Sequence, residues 1–176
     1  MTYSDPFIKF IANDEHYNDV IAAFASVKQT LWIGTADLKD VYVKSGSEVI
    51  PLLAVVDRLI KKGVEIRLLH AKEPGPAFRE DFDRYPALAK GLERCLCPRV
   101  HFKIIVFDLE MAYIGSANMT GAGIGMKSDK RRNFEAGLLT NEPMLVARAT
   151  ELLDEVWRGA YCRDCGRKKF CNDRIV

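Results

Sequence analysis

Residues 100–118 constrain the fold more than any other part of the chain, because they combine strand-forming runs with polar residues at fixed positions. Two runs, Val100–Phe107 and Met111–Ser116, are rich in the branched and aromatic residues that favour strands. Residues 108–110 alone separate them, which predicts a tight turn. The sequence therefore predicts two adjacent antiparallel strands, with His101 near the start of the first.

The polar side chains of these strands are suited to binding a phosphoryl group. Side chains alternate between the faces of a strand, so His101 and Lys103 are predicted to project together while Phe102 points into the opposite layer. An ammonium group neutralises charge that develops on phosphoryl oxygens, and an imidazole attacks phosphorus or donates a proton. Ser116 and Asn118 add uncharged hydrogen-bond donors at the same edge. The joint spacing of these residues indicates phosphoryl chemistry.

Written as a pattern, these residues read HxKx4Dx6GSxN. The pattern resembles the histidine–lysine–aspartate signature of the phospholipase D superfamily, and the order of helices and strands is similar over residues 15–158. The resemblance implies that one histidine attacks phosphorus and forms a phosphohistidine. A second histidine, from a second motif, then protonates the leaving oxygen and later activates water. Lysine and asparagine side chains bind the phosphoryl oxygens.

The resemblance also assigns roles to two acidic residues. Asp108 takes the place of the motif aspartate, which supports the architecture of the site rather than its chemistry. Glu135 lies where the family carries an acidic residue that holds the other ring nitrogen of the histidine, although it can also be an ordinary strand residue. A carboxylate at Nδ1 fixes the tautomer and stabilises the imidazolium. The predicted catalytic residues are therefore His101, Lys103, Asp108, Ser116, Asn118 and Glu135.

Only one complete motif is present. His16 has no lysine two residues later, and His70 has Lys72 but Ala77 in place of the aspartate. A mechanism with two histidines therefore requires a second copy, and a twofold dimer presents two identical lobes to each other. Single-motif members that this chain resembles are mostly nucleases, and their lysines do the electrostatic work that a metal does elsewhere. The resemblance implies a homodimer with metal-independent chemistry.

The remaining pattern alternates strands with amphipathic helices, which predicts an α/β fold: a phospholipase D-like lobe whose mixed sheet is sandwiched between helices. Asn13 or Asp14 is predicted to cap a first helix, and Ser47 a second with Pro51 in its first turn. Residues 71–98 are predicted to be irregular apart from a short helix. The other predicted elements are strands 30–35, 64–69 and 134–139, the short helix 87–94, and a last helix from Asn141 with Leu145, Leu152, Val156 and Trp157 inward. We expect the lobe to span residues 1–158 and a cysteine-rich basic tail to span residues 159–176.

Positive charge is concentrated in two segments, although the net charge is only +2. Residues 127–132 carry a local +3, and residues 158–176 a local +4. Such clusters bind phosphates or form solvated surfaces. The predicted substrate-binding residues are Lys127, Lys130, Arg131 and Arg132. Residues 121–125 (GAGIG) lack the order of a phosphate-binding loop and are predicted to be a flexible segment at the mouth of the site.

The five cysteines form the second informative pattern. Cys162, Cys165 and Cys171 lie in the tail, while Cys95 and Cys97 lie just before His101. A CxxC pair with further cysteines suggests a structural zinc site that uses four of these five cysteines as ligands. Three ligands are the tail cysteines, and the fourth is either Cys95 or Cys97. An iron–sulfur cluster, a disulfide and free thiols remain the other interpretations.

The chain shows no apolar run of about 20 residues that would span a membrane, and no basic-then-apolar leader. We therefore expect a cytoplasmic protein. The sequence favours a nuclease acting on DNA or RNA. The alternatives are a hydrolase or transferase acting on phospholipid, and a nucleic-acid-binding module without turnover.

Overall fold

The structure is a computed structural model that describes residues 5–39, 41–45 and 47–173. Its strands are β1 (Ile8–Ala12), β2 (Thr30–Thr35), β3 (Tyr42–Ser45), β4 (Glu48–Pro51), β5 (Glu65–His70), β6 (Leu92–Leu96), β7 (Lys103–Phe107), β8 (Met111–Gly115) and β9 (Ala136–Thr140). Its α-helices are α1 (Leu52–Lys61), α2 (Pro76–Asp83), α3 (Pro86–Gly91) and α4 (Pro143–Trp157). A π-helix (His16–Ile21) and a 3-10 helix (Phe24–Ser26) precede β2, and a 3-10 helix (Lys168–Phe170) lies in the tail.

Within the described residues, seven strands form one mixed sheet in the order β1-β9-β8-β7-β2-β5-β6, and β3 pairs with β4 separately. Strands β2, β5 and β6 run parallel to one another, while the pairs β2–β7, β7–β8, β8–β9 and β9–β1 are antiparallel. This arrangement brings the start of β7 and the ends of β2, β5 and β8 to one edge of the sheet.

Helices cover both faces of the sheet, which confirms the predicted α/β sandwich. One face includes Ile33, Ile105 and Tyr113. It packs against helices α1 to α3 and against residues 13–26, which contain the π-helix and the 3-10 helix before β2 and are called the first helical segment. The other face, which includes Ile104 and Val106, packs against α4. Both cores are built from the alternating apolar residues of the central strands. None of the helices in the described part of the chain has the length and apolar character needed to cross a bilayer.

Several boundaries differ from the predictions. Helix α1 begins at Leu52, because residues before it form strand β4 and extended Pro51 precedes the first helical residue. The segment predicted to be irregular, residues 71–98, contains α2 and strand β6. Strand β1 had no counterpart in the prediction.

The buried side of α4 also differs. Val146, Ala149 and Leu153 face the sheet, whereas Leu152 is 37% exposed. Val156 and Trp157, which were also predicted to face inward, are partly buried against the same core.

Candidate active site

His101 lies at the sheet edge where β7 begins. Strand β7 starts at Lys103, so His101 precedes the strand rather than forming part of it, and its side chain is exposed. Phe102 points into the α4 layer as predicted, because its ring lies against Gly34 and close to Leu153. The imidazole is therefore presented to solvent at the end of a rigid strand.

Lys103 lies beside His101 in a different environment. Its side chain is only 7% exposed, and its ammonium donates to the His101 carbonyl oxygen at 2.6 Å. Burying a cation in this way is costly unless it is hydrogen-bonded or faces an anion. The site therefore holds a nearly buried lysine, tied to the backbone of a residue whose imidazole is exposed, and this combination is suited to binding a phosphoryl group.

Asn118 follows strand β8 and is fixed through its side-chain oxygen. Its Oδ1 accepts a hydrogen bond from the backbone N–H of Asp37 at 3.0 Å and lies 3.4 Å from the Thr35 hydroxyl. That hydroxyl also lies 2.9 Å from the Asp37 carbonyl and has one proton to share between the two oxygens. Because the oxygen is engaged, the amide NH2 group is the part of Asn118 that can donate to a ligand. Thr35 also accepts a hydrogen bond from the backbone N–H of Met119. Thr35 was not among the predicted site residues; the signal that could have found it is a polar residue at the end of a buried strand.

Ser116 and Glu135 are joined by hydrogen bonds. The Ser116 hydroxyl donates to the Glu135 carboxylate and accepts from the backbone N–H of Ala136 at 3.1 Å. Asn133 donates to the other carboxylate oxygen at 3.0 Å. Glu135 precedes β9 instead of lying within it. In the described chain its hydrogen bonds go to Ser116 and Asn133, and none joins it to the His101 ring.

Tyr113 explains why glycine precedes Ser116. The Tyr113 hydroxyl lies over Gly115, where a side-chain carbon would collide with it, and accepts a hydrogen bond from the Ala117 amide at 3.2 Å. Burial raises the pKa of Tyr113 to about 12, and the Glu135 charge adds to this rise. Tyr113 therefore stays neutral and fixes the end of β8.

Asp108 lies at the opposite end of β7 from Lys103. Its carboxylate accepts hydrogen bonds from the backbone N–H groups of Lys28, Gln29 and Thr30, at distances between 2.7 and 3.1 Å. A strand of five residues spans about 17 Å. The motif aspartate therefore ties the β7–β8 turn to the segment before β2 and is remote from His101.

The other two histidines are structural in their surroundings. His16 and His70 are each 1% exposed. The His70 Nδ1 donates to the Lys72 carbonyl at 2.8 Å and its Nε2 accepts from Arg94 at 3.3 Å. Burial lowers the pKa of both imidazoles below the ordinary value, against hydrogen bonds to backbone carbonyls that raise it. Both rings are therefore neutral parts of the packed interior near neutral pH.

The predicted substrate-binding cations are not equivalent. Lys127, Lys130 and Arg131 are exposed. Arg132 instead forms ion pairs with Asp14 at 3.3 Å and Asp129 at 2.8 Å, and only 19% of its side chain is exposed. Arg132 therefore anchors this loop to the first helical segment.

The glycine segment 121–125 is packed instead of being an open, flexible stretch. Gly121, Gly123 and Gly125 are buried, and a side-chain carbon at Gly123 would lie 2.6 Å from the Asn118 carbonyl. Gly125 has φ +75, a conformation that side chains with a Cβ rarely adopt. The segment holds the loop close behind Asn118.

All five cysteines are described and are free thiols. Four of them, Cys97, Cys162, Cys165 and Cys171, line one groove of about 880 Å³ between the tail and the segment before His101. Burial raises the pKa of the Cys95 thiol to about 11. Within the described ranges, the structure places no group of three His, Cys, Asp or Glu side chains around a common metal position.

The comparisons with known proteins fit this geometry. Residues 20–157 match the family described as the phospholipase D-like domain of cardiolipin synthase. The chain belongs to the phospholipase D superfamily. No curated protein matches the sequence.

Solved structures of the superfamily share the fold. NucT from Helicobacter pylori is 12% identical with a TM-score of 0.64, the alignment covering 87% of this chain and 96% of NucT. Nuc, a phospholipase D family member from Salmonella typhimurium, is 17% identical with a TM-score of 0.65, covering 87% and 95%. A phosphatidylserine synthase from Haemophilus influenzae Rd KW20 is 14% identical with a TM-score of 0.60, covering 86% of this chain and 38% of the synthase. At these identities the likeness concerns the fold, and family membership supports an enzyme that acts on phosphodiesters.

Proposed function

We propose that this protein is a nuclease that hydrolyses phosphodiester bonds of DNA or RNA through a phosphohistidine at His101, and that two copies form the active dimer. The observation that carries the proposal is the exposed side chain of His101 two residues before the nearly buried Lys103, whose ammonium contacts the His101 backbone carbonyl. An exposed nucleophile backed by a fixed positive charge stabilises a phosphoryl group as negative charge develops on its oxygens.

The reaction has two displacements. In the first, a His101 ring nitrogen forms a bond to phosphorus, the bond to the leaving oxygen breaks, and the His101 imidazolium of the second copy protonates that oxygen. In the second, the now neutral His101 imidazole of the second copy removes a proton from water. The water oxygen then bonds to phosphorus, and the phosphohistidine bond breaks. Lys103 and the Asn118 amide bind the phosphoryl oxygens in both steps.

Glu135 acts in this proposal as a positioning residue. Its carboxylate holds the Ser116 hydroxyl and lies on the loop that enters β9, beside the end of β8. A carboxylate near the imidazoles stabilises the imidazolium that must form in each displacement. In this proposal, Glu135 stabilises the His101 imidazolium when substrate and the second copy are bound.

Nucleic acid is favoured as the substrate by the segment that leads into Glu135. It presents exposed Lys127, Lys130 and Arg131, followed by Phe134 with 93% of its area exposed. Cations that track phosphates, combined with an aromatic face on which bases stack, are the features of single-strand binding surfaces. Both features adjoin the site.

One observation favours a phospholipid substrate as the second candidate. Ile8 and Phe10 alternate along edge strand β1 and are 58% and 64% exposed. Neighbouring exposed apolar side chains can contact a lipid surface. The substrate panel therefore includes lipid.

The test incubates the protein with excess EDTA against single-stranded DNA, duplex DNA, RNA and vesicles of phosphatidylcholine and phosphatidylglycerol. We expect nucleic-acid hydrolysis that His101→Ala reduces by more than about 1,000-fold and Lys103→Ala by about 100-fold or more. Lys61→Ala, an exposed lysine on α1, is the matched control and should retain full activity.

Binding of nucleic acid should persist in His101→Ala, because the basic surface is unchanged. Hydrolysis of lipid alone would replace the proposed substrate. Tight binding without any hydrolysis by the wild type would identify a binding module, and strict dependence on added magnesium would indicate a different chemistry.

A further inference from the structure

We propose that Cys97, Cys162, Cys165 and Cys171 bind one zinc ion that fastens the tail to the segment before His101. These four thiols line the same groove although they are separated by up to 74 residues in sequence. Cysteines brought together by the fold in this way are the usual ligands of structural zinc. The proposal is independent of the nuclease activity.

The Cys162–Cys165 pair lies in a hydrogen-bonded turn. The backbone N–H of Cys165 donates to the Cys162 carbonyl at 3.3 Å, which closes the turn. The backbone N–H of Arg167 donates to the Cys165 sulfur at 3.4 Å. Hydrogen bonds from backbone amides stabilise a thiolate, which is the form that binds metal.

The third tail cysteine is held next to Cys97 by contacts with strand β6. The Asp173 carboxylate accepts a hydrogen bond from the Leu96 N–H at 2.7 Å, and the Cys171 thiol donates to the Leu96 carbonyl at 3.7 Å. Strand β6 is at the edge of the sheet, so the tail hydrogen-bonds to backbone groups of Leu96 on a strand that has no further strand beside it. They place Cys171 beside Cys97, which follows Leu96 directly.

The charge around the groove complements a zinc–thiolate centre. Four thiolates and one Zn²⁺ carry a net charge of about −2, since each coordinating thiol is deprotonated. Arg99, Arg158, Arg163 and Lys168 line the same groove. These cations offset the negative charge of the occupied site.

Binding requires the thiols to rearrange. The sulfur atoms do not already surround a common point, so the side chains must turn between staggered rotamers. Cys171 must also lose the proton that it donates to Leu96. Metal binding should therefore release protons and order the tail at the same time.

Cys95 is the internal control. It lies within β6 opposite Leu69 and does not line the groove, although it is near enough to Cys97, Cys162 and Cys171 for their charges to add to the rise in its pKa that burial causes. Of the two cysteines before His101, the position of Cys97 favours it as the fourth ligand.

The test uses the full chain, purified in reducing buffer without added metal. Elemental analysis should give about one zinc per chain for the wild type and for Cys95→Ser. Cys97→Ser and Cys165→Ser should bind zinc at least about tenfold more weakly. Zinc returned to the chelated wild type should release protons and protect residues 159–173 from protease.

Circular dichroism of each variant shows whether the lobe is folded. If a variant does not fold, the proton release and protection of the wild type still decide the question. Wild-type protein without zinc affinity, full affinity in both Cys97→Ser and Cys165→Ser, or loss of zinc only in Cys95→Ser would overturn the proposal. Iron with visible absorbance in place of zinc would also overturn it.

Discussion

At the scale of single residues, the Asp108 carboxylate accepts hydrogen bonds from three consecutive backbone N–H groups. These groups belong to the segment that enters β2, so the carboxylate joins the β7–β8 turn to the start of β2, at the end of the sheet away from His101. Asp108 also adopts φ 51, which Asp and Asn tolerate better than most residues. These contacts support the structural role that the family resemblance assigns to the motif aspartate.

Asp108→Ala should lower the free energy of unfolding by about 2–4 kcal/mol, because backbone donors lose a charged acceptor. Turnover per folded molecule should stay within about threefold of the wild type, since the residue makes no contact with the reacting groups. Denaturant unfolding and activity at a low temperature measure the two effects. Glu110→Ala, in the same turn, is the control and should change stability by less than about 0.5 kcal/mol. Loss of turnover at unchanged stability would give Asp108 a role in the chemistry.

The chemically informative residues could be predicted because their spacing is local. His101 and Lys103 lie at the start of β7, Ser116 and Asn118 follow the end of β8, and pairing of these adjacent strands brings all four to one edge. Thr35 reaches Asn118 only through the pairing of β2 with β7, which no sequence pattern specifies. Hydrogen bonds between residues distant in sequence are therefore where the prediction of the site was incomplete.

At the scale of elements, the edge strands were the hardest to predict. Strand β6 contains Glu93 and Arg94 between apolar ends, so its pattern is typical of a charged, irregular segment. Edge strands carry such charges because one side faces solvent. The central strands β2, β5 and β7 are buried on both faces and were predicted to within a few residues.

The cations of residues 127–132 have two kinds of surroundings. Lys127, Lys130 and Arg131 are exposed and are available to phosphates, whereas the ion pairs of Arg132 hold the loop in place. The net charge of this segment in the sequence cannot separate exposed cations from ion-paired ones, because each adds one positive charge. Burial and pairing distinguish them.

Replacing Lys127, Lys130 and Arg131 together by alanine should reduce the slope of log affinity against log salt by about two to three, since each phosphate contact contributes about 0.7–0.9. Arg132→Ala alone should change the slope little and lower the unfolding free energy by about 1 kcal/mol. Fluorescence titrations between low and moderate salt measure the slopes. The control is a triple alanine variant at Lys61, Lys62 and Lys90. These lysines are exposed and lie in or next to helices α1 and α3. An unchanged slope in the loop variant would make these residues part of a solvated surface.

At the scale of the whole molecule, the lobe contains one exposed histidine in one complete motif. The two remaining histidines are buried, and the ring of His70 has both nitrogens hydrogen-bonded. Neither is therefore placed to protonate a leaving group at the sheet edge. In the proposed mechanism, the nucleophile and the separate acid are therefore the His101 residues of two copies.

This requirement predicts that inactive chains suppress active ones. When His101→Ala protein is mixed with an equal amount of wild type and subunits exchange, random pairing leaves half of the wild-type chains in mixed dimers. A mixed dimer has one His101 and cannot complete the cycle, so activity at a fixed amount of wild type should fall to about half, and further with excess mutant. Activity is measured on nucleic acid in excess, so that the mutant cannot act by sequestering substrate, and Lys61→Ala protein is the mixing control. Activity that is independent of added His101→Ala, despite exchange shown by light scattering and mass spectrometry, would mean that one chain supplies the complete site.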